Sequence, residues 1–146
     1  MTNNKEIQQP IENAAKLHGH LGPFLVIGVR IGEMAKRHLD VDNKSSHRLQ
    51  ASIKTPLFTP FSCVIDGIQA STSCTVGNQR LKIEESTKET IAHFKLQNSD
   101  KTMTITVNPK VAETLVKEMS KGANPEHLAA RISQMREEQL FVLEEY

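Results

Sequence analysis

From Pro23 to Leu39 the chain carries a run that belongs in the middle of a fold. Phe24, Leu25, Val26, Ile27 and Val29 make the first two turns of the helix predicted there apolar nearly all round. Arg30, Glu33, Lys36 and Arg37 follow along one side only. Such a helix buries its N-terminal half completely and leaves its C-terminal half partly in water. Pro23 suits the first helical position because it has no N–H to leave unpaired, which makes Gly22 the N-cap. Gly28 and Gly32 sit one turn apart, and each costs about 1 kcal/mol relative to alanine. They clear a strip where another backbone can lie, either a second helix or a second copy of the chain.

Immediately before this helix stands His18-Gly19-His20-Leu21-Gly22-Pro23. In an extended segment, residues i and i+2 point the same way, so the two imidazoles are expected to converge on one point. That point lies beside the positive end of a helix, a favourable place for an anion or a thiolate. An uncharged imidazole there is also the form that binds metal. Two polar residues in an ordinary pre-helix turn would read the same way, so the rest of the chain has to decide.

The second informative stretch runs from Ser62 to Asn78. Ser62 can cap a helix reaching about Thr72, with Cys63, Asp66, Gly67 and Ala70 on one face and Val64, Ile65 and Ile68 as buried contacts. Cys74 to Asn78 then reads as an exit turn, with Gly77 and Asn78 able to take left-handed backbone angles. At 1.5 Å per residue, Cys63 and Cys74 stand about 15 Å apart at opposite ends. That separation excludes a disulfide, and it excludes a metal shared within one chain. One sulfur is expected to meet the histidines, or the second to reach a site from a neighbouring protomer. Buried filler is the alternative for both thiols.

Around these stretches the pattern is that of an α+β domain occupying residues 1–146. Ile7 to Leu17 is a short amphipathic helix. Leu49, Ala51 and Ile53 alternate with polar residues as a half-buried strand, as do Arg80–Glu84, Thr90–Leu96 and Lys101–Val107. Short polar links suggest a meander, giving a four-stranded, largely antiparallel sheet with one apolar face covered by helices. Asn108-Pro109 and Asn124-Pro125 start two more helices. The last is expected to carry Leu128, Ile132, Met135, Val142 and Leu143. Its apolar tip, Leu140 to Leu143, needs cover from the core or from a partner chain. His93 and His127 are expected to be solvated.

Composition removes several classes of function. A net charge of +1 gives no strong pull towards nucleic acid or an anionic membrane. Aromatic residues are 4% with no tryptophan, which is too few for a base-stacking surface. The polar start has no signal-peptide core, and no apolar run approaches the length of a membrane span. A cytoplasmic protein with two reduced cysteines is expected. Nothing resembles a nucleotide-binding loop, a serine triad or a pterin site, so the sequence does not decide whether the chain is an enzyme.

His18-Gly19-His20-Leu21-Gly22-Pro23 with its helix, and Cys63-Val64-Ile65-Asp66-Gly67 through Leu81, together resemble the N-terminal domain of the FmdE family, named for a formylmethanofuran dehydrogenase component. The resemblance runs from the opening helices through the meander to the Pro109 helix. It implies an α+β homodimer and a divalent metal site, with zinc as a candidate, held by His18, His20, Cys63, Asp66 and Cys74. Gln69, Thr75, Gly77 and Asn78 would support that site. Two departures matter. The family motif usually reads HGHxCPG, and here Gly22 stands at the cysteine and Phe24 at the following glycine. The four-cysteine zinc ribbon that many members carry is not in this sequence. The other reading is a non-catalytic dimer that binds a small anion at the same place without metal.

Overall fold

The computed structural model describes residues 4–145, with side chains described for 6–144. The elements in order are α1 (Asn4–His18), α2 (Pro23–His38), β1 (Leu49–Thr55), α3 (Cys63–Thr72), β2 (Leu81–Glu85) and β3 (Ile91–Leu96). They continue with β4 (Thr102–Val107), α4 (Pro109–Ser120), α5 (Pro125–Gln134), α6 (Glu137–Leu140) and β5 (Phe141–Glu145). The fold is α+β, as expected.

The sheet corrects the meander. It has five strands in the order β2-β1-β3-β4-β5, and β2 pairs with β1 in parallel. β1 lies between β2 and β3, so the polar link after Glu85 crosses over β1 and makes no hairpin. Consequently β2 is an edge strand. Leu81 is buried, while Ile83, expected inward, is 38% exposed. The β3–β4 hairpin is present, with Phe94 opposite Met103 and Ala92 opposite Ile105. Alternation puts Leu49, Ile53, Ala92, Phe94, Met103 and Ile105 on the covered face. His93 and His127 are exposed, as expected.

The fifth strand replaces the expected helical tip. α5 ends at Gln134, where the buried guanidinium of Arg30 takes the carbonyls of Ile132 and Met135. A cation suits the last carbonyls of a helix. The chain then turns through α6, whose last carbonyl, Leu140, accepts from Asn108 N–H. Phe141, Val142 and Leu143 are strand formers, and they pair with β4 at Val107, Thr106 and Ile105. Leu140 and Phe141 are buried and Leu143 packs on the core, while Val142 stays 57% exposed, so the tip is covered inside the chain only in part.

α2 is the central element: twelve of its sixteen residues are buried. Its glycine strip is filled by α3 of the same chain. A Cβ built on Gly28 would lie 2.1 Å from the Val64 carbonyl oxygen, and one on Gly32 would lie 1.9 Å from Ser71 Oγ. The reverse contact is as close, since a Cβ on Gly67 would lie 2.3 Å from the Leu25 carbonyl oxygen and 2.8 Å from Gly28 Cα. Two helix backbones are therefore in contact, with glycine on both sides. The glycine strip is thus filled within one chain. A smaller cluster of Ile7, Ala14, Leu25 and Val29, with Ala70 of α3 against it, fixes α1 to both α2 and α3.

The α2–α3 contact gives a direct test. Gly67→Ala puts its methyl group against backbone that cannot turn aside. Urea melts should show a loss of about 3 kcal/mol or more, at or beyond the usual range for overpacking. Gly22→Ala, where nothing lies within 4 Å of the added carbon, should cost about 1 kcal/mol or less.

Candidate functional site

His18 is the last residue of α1 rather than part of an extended segment. Gly19 leaves the helix with φ of 98°, a backbone angle that glycine takes without strain. This turn still brings the two imidazoles together, but edge to face. Their ring centres are 4.5 Å apart at 81°. His18 is largely buried and His20 is exposed.

Opposite His18 stands Asp66, in the first turn of α3. His18 Nδ1 lies 2.6 Å from Asp66 Oδ2 across 48 residues of sequence. A contact this short between a ring nitrogen and a carboxylate oxygen needs a proton between them. Carried on Nδ1, that proton leaves Nε2 of the uncharged ring as a lone-pair acceptor. Nε2 is buried and has no hydrogen-bond partner among the described residues. Burying such a group without a partner costs roughly 1–3 kcal/mol, which a ligand would recover.

Asp66 is held in turn. Gln69 Nε2 donates to Asp66 Oδ1 at 3.3 Å, and Gln69 Oε1 accepts from Val76 N–H at 3.4 Å. The turn beyond α3 is built by Thr75 and Asn78. Asn78 Oδ1 accepts from the N–H groups of Thr75 and Arg80, and Thr75 Oγ1 accepts from Asn78 N–H. The left-handed angles belong to Ser73 and Gln79, not to Gly77 and Asn78. Gly77 is exposed at the tip.

The two cysteines part company. Both are free thiols. Cys63 starts α3 one turn before Asp66, and burial, then the Asp66 carboxylate, push its thiol pKa up. Cys74 is fully buried, and its Sγ donates to the Leu49 carbonyl at 3.2 Å. Burial pushes its pKa up as well. Its sulfur is thus turned into the core onto β1. Of the expected ligands, His18 and Asp66 are brought into direct contact, and Cys74 is placed against the Leu49 carbonyl. Among the described residues, no three His, Cys, Asp or Glu side chains stand together as a ready-made metal cage.

In front of His20 opens a cleft of about 770 Å³. His20, Cys63 and the start of α2 line it. Pro60 lines it from the loop before α3, and Met119, Asn124 and Glu126 line it from the α4–α5 turn. Gly22 to Leu25, at the start of α2, line this space, and that turn carries no acidic residue and no side-chain cap. A smaller, more polar hollow of about 500 Å³ near the other end of α2 touches none of the candidate site residues. Sequence reasoning misses the α4–α5 contribution. Asn124-Pro125 marks a helix start there and says nothing about where that start sits.

The chain matches the FmdE family model, described as "FmdE, Molybdenum formylmethanofuran dehydrogenase operon", over residues 17–145. It belongs to the FmdE family. The matched span contains the histidines, α3, the supporting turn and the whole sheet. A curated relative from Archaeoglobus fulgidus, a probable S-adenosyl-L-methionine-binding protein, is 34% identical over 68 residues. Those residues are 47% of this chain and 18% of the relative, so the chain spans under a fifth of that protein's length. Among the described residues, no helix is long and apolar enough to cross a membrane.

The thiols provide a check on this geometry. In the native protein Cys63 should react with iodoacetamide more slowly than a free thiol at the same pH, because it holds its proton longer. Asp66→Asn should speed that reaction several-fold, while Cys74 stays unlabelled until the protein is unfolded. Labelling followed by peptide mass spectrometry reads both sites separately.

Proposed function

We propose that this FmdE-family chain is a metal-binding domain whose fixed ligand is His18 Nε2. The observation that carries this reading is that buried nitrogen, without a partner and with a carboxylate behind the ring. A carboxylate bonded to the far ring nitrogen is how proteins fix the tautomer and orientation of histidine metal ligands. The donor chemistry suits a borderline ion such as zinc: imidazole from His18 and His20, and thiolate from Cys63 once its proton is released. Asp66 serves as the orienting group and Gln69 steadies it. Cys74 takes no part.

With Gly22 at the usual cysteine position, the protein supplies at most these three donors, and the shell stays open towards the cleft. An ion held there would supply a Lewis acid, able to polarise or acidify a molecule in the cleft. The chain's own residues orient His18, keep it from solvent and shape the space in front of His20.

Zinc titration against a chromophoric chelator tests the proposal. The wild-type protein should bind one zinc per chain, and His18→Ala should abolish that binding. Asp66→Asn should weaken it by roughly 10- to 100-fold, the usual effect of removing a group behind a ligand. Cys74→Ala should leave it unchanged. A wild-type protein that holds no zinc, or an Asp66→Asn protein that binds as well as wild type, overturns the reading.

A further inference from the structure

Of the two edge strands of the sheet, β2 and β5, the first is complementary to itself. Ala51 N–H donates to the Arg80 carbonyl at 2.9 Å, and Ser86 N–H donates to the Thr55 carbonyl at 3.1 Å. Backbone direction alternates along a strand, so the even-numbered residues of β2 turn to β1, and Leu81, Ile83 and Glu85 turn their N–H and C=O groups outward. Leu81 N–H is taken by the Thr75 carbonyl. Among the described residues, no backbone hydrogen bond engages the outward groups of Ile83 and Glu85. Alternation puts Lys82 and Glu84 on the uncovered face of the sheet, and Ile83 on the helix-covered face beside its β1 neighbour Ile53. Two more exposed apolar side chains flank the same edge. Val76 stands in the turn that holds Leu81, and Phe58 shares a hollow with Glu85 and Ser86 at the other end. Their segments lead out of and into α3, which places both on the helix-covered side.

Charged residues on an edge strand ordinarily deter pairing with another strand. Here one register turns them into partners. We propose that two copies of the chain join their β2 strands antiparallel, about a two-fold axis at Ile83, into one continuous sheet. Ile83 N–H then donates to the partner's Ile83 carbonyl, and Glu85 N–H to the partner's Leu81 carbonyl, each bond made twice by symmetry. The outward phase of the backbone is the phase that this ladder needs. Lys82 stands opposite the partner's Glu84 on one face. On the other face Ile83 meets the partner's Ile83, and Phe58 comes to the end of the strand where the partner's Val76 stands. Moving the axis to Lys82 or to Glu84 sets like charges against each other, which destabilises a pair of strands. β5 carries Glu144 and Glu145 with no basic residue, so no two-fold register matches its charges. The contact is independent of the metal reading, since it uses neither His18 nor Cys63.

The test is sedimentation of the full chain across a range of concentrations, with the paired charges reversed. One short strand edge lies at the small end of interface sizes, so dimer should form between about 10 µM and 1 mM. Lys82→Glu and Glu84→Lys should each weaken it about tenfold, because each sets like charges opposite one another twice, and the double variant should regain it. Ile83→Pro removes an outward N–H, leaves the bonds to β1 in place, and should abolish the dimer. Circular dichroism checks that each variant is folded. In the wild-type protein, hydrogen exchange at the Ile83 and Glu85 amides should slow as concentration rises. A mass of 16.3 kDa throughout this range overturns the proposal. So does a dimer that tolerates Ile83→Pro, a double variant as weak as either single one, or exchange at Ile83 that does not change with concentration.

Discussion

The contact between Gly28 of α2 and Gly67 of α3 sets the geometry of everything near the site. With no side chain on either residue, the two backbones approach to the limit of van der Waals contact. That approach puts the face of α3 carrying Asp66, the residue before Gly67, beside the segment that feeds α2. His18 is in that segment. The distance of 2.6 Å between ring and carboxylate thus depends on a packing choice made one residue away. α1 completes the arrangement, since Ile7 and Ala14 fix it to α2 and so fix where its last residue ends.

Much of this is legible in the sequence because local chemistry and tertiary structure agree there. The proline starts of α2, α4 and α5, the alternation of β3 and β4, and the all-round apolar start of α2 each have one good structural answer. The glycine strip is legible as a close approach, but its partner is not, because a second helix and a second chain leave the same mark on a sequence. The parallel β1–β2 pair is illegible for a related reason. Alternation tells which residues face inward and says nothing about which strand is the neighbour. β5 is hidden because Ile132, Met135 and Leu143 keep a helical spacing. What ends that helix is Arg30, 102 residues away from Ile132.

The site shows the same division. Imidazoles, thiol and carboxylate can be picked out by type and spacing, and the family match covers all of them. Their roles cannot. Asp66 becomes an orienting group only once the His18 contact is visible. That Cys74 lies with its sulfur on the Leu49 carbonyl is visible only in the fold. The cleft walls come from the Pro60 loop and the α4–α5 turn, which carry no chemical motif, and only the fold brings them opposite the histidines.

The central claim is that Asp66 fixes His18 with its proton on Nδ1 and offers the bare Nε2 to an electron-pair acceptor. Long-range 1H–15N correlation spectra of the histidine rings measure this directly. The account predicts that His18 in the metal-free protein is protonated at Nδ1 and bare at Nε2, and that zinc moves the Nε2 resonance. A proton found on Nε2 with Nδ1 bare, or a zinc-bound protein whose Nε2 resonance stays in place, would contradict it.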